Sequence, residues 1–132
     1  MRVIHAHEGS TSEATNQPIF EGGPVWFRGL AGRQLAPSDE LSVAVVQFGA
    51  GAKTRWHTHT SDQVLYVTAG IGKVGNRDGE HIISAHDCVV IPANEPHWHG
   101  AADTGSPMSH VAITLAASET KLEESDESAY GR

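Results

Sequence analysis

The sequence predicts a single all-β domain folded as a sandwich, a jelly roll or a closed barrel. Apolar residues recur in short runs bounded by Gly, Pro, Asn and Asp, which is the pattern of many short strands. No amphipathic helical pattern interrupts these runs, which disfavours a sheet built from strand-helix-strand units. A length of 132 residues also fits one core, because two cores would each bury too little apolar surface.

The apolar runs predict seven strands. They cover residues 25–30, 41–48, 63–69, 71–74, 81–84, 88–91 and 109–116. The segments between them, such as 74–79 and 103–107, contain residues that accept a positive φ or preset a turn, which predicts loops. We expect an N-terminal arm and the first strands in residues 1–40, the barrel core in 41–117, and an acidic tail in 118–132.

The two ends of the chain carry weaker patterns. Roughly the first 20 residues are mostly polar, with Val3 and Ile4 among the exceptions, and are interpreted as an arm that lies on another subunit. Acidic residues crowd the C-terminus, which is typical of a solvated tail and assigns it no function. Residues 119–129 are the only segment whose pattern is compatible with a helix.

Charge and composition narrow the classes of partner. Nine Lys and Arg against sixteen Asp and Glu give a net charge of -7, so no basic face can form for nucleic acid or an anionic membrane. A small-molecule substrate is the expected partner. No window approaches the roughly 20 apolar residues of a membrane span, and the N-terminus lacks the apolar stretch of a signal peptide, so we expect a cytoplasmic protein.

Cys88 is the single cysteine, so no internal disulfide can form. Its place in the apolar run 88–91 predicts a small hydrophobe in the core, with a reactive thiol as the alternative. Trp56 and Trp98 alternate with candidate ligand histidines, so we expect them to point away from the barrel interior and to serve packing or a subunit contact.

The most informative feature is a pair of alternating histidines. On an extended chain His57 and His59 point to the same face, close enough to share one ion. Gln63 begins the next apolar run in phase with Leu65 and Val67, which places its polar amide on the inward face, where it needs a partner.

A second stretch adds a third imidazole. A predicted strand ends in a proline turn that leads to His97, and His99 follows at the same alternate spacing. His5 and His7 share this spacing but lack the downstream polar ligand and the flanking glycines, and are interpreted as a surface pair. The alternative to a metal site is a set of half-buried histidines hydrogen-bonded to their neighbours. The flanking glycines, the in-phase Gln63 and the second alternating histidine pair together favour a metal site.

These residues resemble the two motifs of the cupin family. The first motif is matched by Gly51, His57, His59, Gln63 and Gly70, with Gln in place of the more usual Glu. The second is matched by Asp87, Pro92 and His97, while His86 and Asn94 stand where the family has glycine. The resemblance covers roughly residues 41–116 and implies a double-stranded β-helix, or jelly-roll, barrel that forms a homodimer or homotetramer.

Within that family, the segments 56–60, 63–70, 97–101 and 108–113 are similar to a small bacterial group that includes manganese-dependent hydroxynitrile lyases. The resemblance implies metal ligands at His57, His59, Gln63 and His97. It also implies pocket residues at Ala44, Val46, Phe48, His99, His110 and Thr114. Thr114 departs from the Gln that is common in that group.

The proposed ligands suggest the chemistry of the site. Three neutral imidazoles and an amide leave a divalent ion its full positive charge, which makes it a stronger Lewis acid. With four protein ligands an octahedral ion keeps two open positions, so Mn or Fe is expected, although imidazole also serves Zn, Ni, Co and Cu. His99 and His110 are candidates for the catalytic acid or base, because imidazole titrates near neutral pH. Buried histidines that only orient a ligand are the alternative.

Three functions are compatible with such a site. The first is a lyase that cleaves a cyanohydrin to an aldehyde and cyanide, in which Ala44, Val46 and Phe48 line the pocket. The second is an iron-dependent oxygenase that acts on an enol or catechol-like substrate. The third is a non-catalytic module that binds a small ligand through its metal.

Overall fold

The structure, a computed structural model, describes residues 1–32 and 38–123. Every regular element in these residues is a β-strand, which confirms the all-β prediction. In chain order the strands are β1 (Ser12–Glu13), β2 (Phe20–Glu21), β3 (Val25–Ala31), β4 (Leu41–Phe48), β5 (Lys53–Thr54), β6 (His57–His59), β7 (Gln63–Asn76), β8 (Gly79–Ser84), β9 (Cys88–Ile91), β10 (Trp98–Gly100), β11 (Met108–Leu115) and β12 (Thr120–Leu122).

The strands form a curled antiparallel sheet of the jelly-roll type. Ten of them form one sheet, in which eight follow the order β1-β3-β4-β11-β7-β10-β5-β2 and β8 and β9 each pair with β7. The remaining two, β12 and β6, pair with each other. The first half of β7 pairs with β9 and β11, and its second half pairs with β8 and β10. One long strand therefore joins the two halves of the barrel wall.

Gly70 lets β7 continue where two strands were expected. The predicted strands 63–69 and 71–74 are one strand in the structure, and their separation at Gly70 was wrong. Gly70 has a φ of 80°, and a Cβ there would lie 1.9 Å from the carbonyl oxygen of Pro107. A side chain is excluded at this point, and the glycine bends the strand without ending it.

Alternation along the strands separates the core from the outer surface. Val46 and Phe48 of β4 and Leu65 and Val67 of β7 are buried together in the main hydrophobic core. In β9 the alternation buries Ile91 and exposes Cys88, so the prediction that Cys88 is a core residue was wrong. A continuous apolar run predicts a strand buried on both faces, whereas one face of this strand points outward.

Trp56 and Trp98 are buried in a small cluster with Ala102, separate from the main core. The guanidinium of Arg77 lies 3.9 Å from the ring centroid of Trp56, and the ammonium of Lys53 lies 5.4 Å from that of Trp98. Both tryptophans therefore pack outside the core of the barrel, as their alternation with the histidines predicts.

Both ends of the described chain pack on this chain's own barrel. β1 pairs with β3 and β2 pairs with β5, so these parts of the N-terminal arm pack on the barrel of their own chain. The helical expectation for 119–129 was wrong where it can be examined, because residues 120–122 form β12. Residues 124–129 lie outside the described residues. Across 1–32 and 38–123, no helix has the length and apolar character needed to cross a membrane.

Candidate metal centre

His57 and His59 stand at the two ends of the three-residue strand β6. Both side chains are buried, with 1% and 8% of their surface exposed, and their ring centroids are 4.8 Å apart. The alternation of an extended chain therefore places them on one face, as predicted.

His97 joins this pair through the backbone. The amide of His57 donates to the carbonyl of His97 at 2.9 Å, and the amide of His97 donates to the carbonyl of His57 at 3.0 Å. The His97 ring is 4.2 Å from that of His57 and 5.3 Å from that of His59, measured between centroids. The possible ligand atoms of the three lie within 4.8 Å of one another, the one such cluster in the described part of the chain.

The outer nitrogen of each ring is already engaged. Nδ1 of His57 is 2.7 Å from the carbonyl oxygen of Arg55, and Nδ1 of His97 is 2.8 Å from that of Glu95. A carbonyl oxygen only accepts, so each Nδ1 carries the proton and donates it, which leaves the lone pair on Nε2. Nδ1 of His59 lies 2.9 Å from Oγ1 of Thr120.

The inner nitrogens suit a cation. Nε2 of His59 is buried and has no hydrogen-bond partner among the described residues, which is costly unless another group satisfies it. Gln63 is buried at the start of β7, and its Oε1 lies 3.3 Å from Nε2 of His97. Three ring nitrogens and an amide oxygen thus converge, and this donor set fits a divalent transition-metal ion.

Burial also holds the rings in the neutral form that binds metal. It lowers the pKa of His57 to about 3, with a further contribution from nearby His97. Burial first and His97 second lower the pKa of His59 to about 4, and burial lowers the pKa of His97 as well. All three rings are therefore neutral at pH 7, with one nitrogen protonated and the other carrying a lone pair.

A second pair of histidines lies beside this cluster. Nε2 of His110 is 2.9 Å from Nδ1 of His99, and both side chains are buried. The His99 ring stacks on that of His97 at a centroid distance of 5.8 Å. Burial lowers the pKa of His110 to about 4 and holds that of His99 well below its usual value, so both rings are neutral near pH 7.

The His99–His110 pair ends in a free nitrogen. Nδ1 of His110 is buried without a hydrogen-bond partner among the described residues. If Nε2 of His110 donates to Nδ1 of His99, the Nδ1 of His110 carries a lone pair and can accept a proton. In the opposite tautomer, Nδ1 of His99 donates to Nε2 of His110, and Nδ1 of His110 carries a proton and is a donor. Nδ1 of His110 can therefore accept or donate a proton, depending on the tautomer.

The predicted pocket residues lie along β4 and β11. His110 pairs with Val46 and Ala112 with Ala44 across the two strands, and Phe48 lies 5.4 Å from His110 between ring centroids. Thr114, opposite Ser42, is two pairs farther along and only partly buried. Ala44, Val46 and Phe48 therefore lie close to the histidines, whereas Thr114 lies toward the end of the strand.

A cavity of about 660 Å³ adjoins the Ala44 end of this wall. It is lined by Phe27 and small residues of β3 and β4, including Gly29 and Ser42, and by part of the N-terminal arm, including Ser12. This volume lies within the range of small-molecule pockets.

Sequence reasoning missed two hydroxyl residues at the site. Thr54 is buried, and its Oγ1 accepts from the amide of His99 at 3.0 Å. Thr54 lies three residues before His57, and this closeness in the sequence is the signal that could have identified it. Thr120, which contacts His59, lies 61 positions from that residue, and nothing in its own segment indicates the contact.

The two departures from the second motif have a clear conformation. His86 has a φ of 78° and Asn94 a φ of 66°, so both occupy the left-handed region that glycine adopts at no steric cost. The Nδ1 of His86 lies 2.9 Å from the hydroxyl of Tyr66, a contact that helps to hold this residue in its unfavoured conformation.

Comparisons with known proteins agree with this geometry. Residues 44–114 match the Cupin domain family. A protein of Granulicella tundricola named (R)-mandelonitrile lyase is 47% identical over 104 residues, covering 74% of this chain and 78% of the relative.

Two solved structures share the fold. A cupin-like protein from Thermotoga maritima is 30% identical with a TM-score of 0.73, covering 96% of this chain and 97% of the other. The polyketide cyclase RemF from Streptomyces resistomycificus is 16% identical with a TM-score of 0.80, covering 98% and 90%. A family match over more than half of the chain, two motifs and a buried histidine cluster lead to one conclusion: this chain belongs to the cupin family.

Proposed function

We propose that this cupin is a metal-dependent lyase that cleaves a small cyanohydrin into an aldehyde and hydrogen cyanide. The observation that carries the proposal is the position of the His99–His110 pair, which lies against the His57–His59–His97 cluster and ends in the unpartnered Nδ1 of His110. The 47% identity to a relative named (R)-mandelonitrile lyase supports the same reaction class.

His57, His59, His97 and Gln63 would hold the ion, with Mn or Fe as the expected metal. When bound there, a divalent ion supplies Lewis-acid chemistry toward the oxygen of the substrate. All four protein groups are neutral, because burial lowers the pKa of the three imidazoles and Gln63 carries no charge. The protein therefore leaves the positive charge of the ion undiminished.

His110 would move the proton. In the tautomer whose Nε2 donates to His99, Nδ1 of His110 accepts the hydroxyl proton of the cyanohydrin while the bond between the carbinol and nitrile carbons breaks. The electron pair of that bond leaves with cyanide, and the proton on His110 then passes to cyanide. The products are an aldehyde and hydrogen cyanide, and the histidine returns to its starting form.

Ala44, Val46 and Phe48 would hold the apolar part of the substrate. They are buried on the strand paired with β11, so they face the same interior as His110. The small side chains of Ala44 and its neighbour across the strands, Ala112, leave room for a compact aryl or alkyl group. Thr114, nearer the end of β11, would contact only the outer part of such a substrate.

The test is cleavage of mandelonitrile under anaerobic conditions by fully manganese-loaded protein. Benzaldehyde is followed by absorbance and cyanide is measured separately, with metal-free protein and His57→Ala as controls. We expect both products in equal amounts from the loaded wild type and at least a hundredfold loss (about 2.7 kcal/mol) in each control. Absence of cleavage in fully loaded protein would rule out the lyase, and oxygen uptake with an enol by the iron-loaded protein would favour an oxygenase instead.

A further inference from the structure

We propose that the C-terminal strand β12 is part of the metal centre, with Thr120 as the positioning residue that sets the ring of His59. The inference rests on the proposed metal site and adds to it a residue outside both cupin motifs. The contact that carries it joins Nδ1 of His59 to Oγ1 of Thr120 at 2.9 Å.

His59 differs from the other two histidines in how its ring is held. His57 and His97 each bond to the carbonyl of the residue two positions earlier, so their own segments orient them. His59 bonds to a side chain 61 positions away. Two imidazoles are therefore oriented locally, and the third depends on the docking of the C-terminal strand.

The docking of β12 on β6 is well defined on the N-terminal side of Thr120. In the antiparallel register Thr120 lies opposite His59, and Leu122 lies opposite His57. The amide of Thr60 donates to the carbonyl of Glu119 at 3.1 Å, and the amide of Glu119 donates to Oγ1 of Thr60 at 2.9 Å. These reciprocal bonds fix the strand immediately before Thr120.

Contacts after Leu122 fix the other end. The amide of Glu123 donates to the carbonyl of Trp56 at 3.1 Å, and its carboxylate pairs with Arg77. The guanidinium of Arg77 in turn lies 3.9 Å from the centroid of the Trp56 ring. The strand is therefore anchored on both sides of Thr120, to Thr60, which follows His59, and to Trp56, which precedes His57.

The hydroxyl of Thr120 is compatible with the tautomer that binds metal and holds the ring in place. When Oγ1 accepts a proton from Nδ1 of His59, the lone pair remains on Nε2, which is buried and has no other partner in the described part of the chain. Without the hydroxyl, Nδ1 loses its hydrogen-bond partner in either tautomer, so no side chain holds the ring with Nε2 turned toward the other two histidines. A ring that is free to turn binds the ion more weakly.

The first experiment compares Thr120→Val, which keeps the shape and removes the hydroxyl, with Thr120→Ser, which keeps the hydroxyl. The control is Lys121→Ala on the same strand, because Lys121 is exposed and lies opposite Thr58 rather than a ligand. The readout is the dissociation constant for Mn²⁺ of metal-free protein. We expect Thr120→Val to bind about tenfold or more weakly, with Thr120→Ser and Lys121→Ala within about twofold of wild type. Wild-type affinity in Thr120→Val would overturn the inference.

A second measurement uses the wild type and applies even where Thr120→Val does not fold. If β12 sets His59 for the ion, binding of the ion must stabilise β12 in return. We expect saturating Mn²⁺ to slow hydrogen exchange of the amides of residues 120–123, and unchanged exchange there would overturn the inference.

These readouts separate the inference from the proposed reaction. A protein that binds Mn²⁺ with the Thr120 dependence but leaves mandelonitrile intact supports the inference and contradicts the lyase. A wild type that binds no Mn²⁺ overturns both.

Discussion

Each histidine of the cluster turns one nitrogen toward the site because a hydrogen-bond partner holds the other. The carbonyls of Arg55 and Glu95 and the hydroxyl of Thr120 are these partners. Gln63 adds an amide oxygen beside His97. The result is a set of four neutral groups, and this neutrality should matter more for the reaction than for the binding of the ion.

Gln63→Glu tests that distinction. A carboxylate can still bind the ion but offsets part of its charge, so we expect retained metal and at least a tenfold slower cleavage of mandelonitrile, about 1.4 kcal/mol in the barrier. Metal content and turnover are measured on the same loaded sample.

The matched control for this change is Gln47→Glu. It alters the net charge of the chain equally, but Gln47 is exposed on β4. We expect turnover in Gln47→Glu to equal that of wild type. A Gln63→Glu protein as fast as the control would show that ligand neutrality does not drive the reaction.

At the level of residues, spacing explains why part of the cluster was predictable. The period of an extended chain placed His57 and His59 on one face and Gln63 in phase with Leu65, and the structure has both features. The contact of Thr120 with His59 could not be predicted from the sequence, because it depends on how a distant strand docks. Cys88 was misplaced, since a short apolar run does not reveal that one of its faces is exposed.

Among the elements, β7 does most to organise the barrel, because it contributes to both halves of the wall. The bend at Gly70 combines a φ of 80° with a close approach to the carbonyl of Pro107. Gln63 begins this strand. Strain introduced by a side chain at position 70 should therefore lower the stability of the whole domain.

Gly70→Ala and Gly105→Ala separate the two sources of that strain. Both glycines have nearly the same φ, 80° and 78°, but a Cβ at Gly105 would meet nothing within 4 Å. We expect Gly105→Ala to lose about 1–2 kcal/mol of unfolding free energy, the cost of a left-handed alanine, and Gly70→Ala to lose clearly more. Denaturant unfolding measures both, and equal losses would show that the contact with Pro107 is unimportant.

The longer strands could be predicted from the sequence, and the shortest ones could not. β4 and β9 have the bounds that their apolar runs predicted, because runs of four to eight largely apolar residues between turn residues are typical of strands. β5, β6 and β10 span two or three residues, too few for any period, and were not assigned as strands. Yet β6 holds two of the three clustered histidines, so the element most important for the site was visible only through its histidines.

For the whole molecule, the all-β architecture was predictable because it depends on the sum of many weak patterns rather than on any one of them. The pairing of distant segments was not predictable in the same way. His57 and His97 are joined by two backbone hydrogen bonds, and β12 returns from the far end of the chain to pair with β6. The candidate metal centre thus forms only when the whole described domain has folded.

The most direct test of this account is the metal content of the folded protein. Wild type and His57→Ala are loaded with Mn²⁺, freed of excess ion and measured by elemental analysis, with folding checked by circular dichroism. His81→Ala serves as the control, because that histidine is exposed on β8. The account predicts a single tightly held ion per chain in wild type and His81→Ala and almost none in folded His57→Ala; full occupancy in His57→Ala would contradict it.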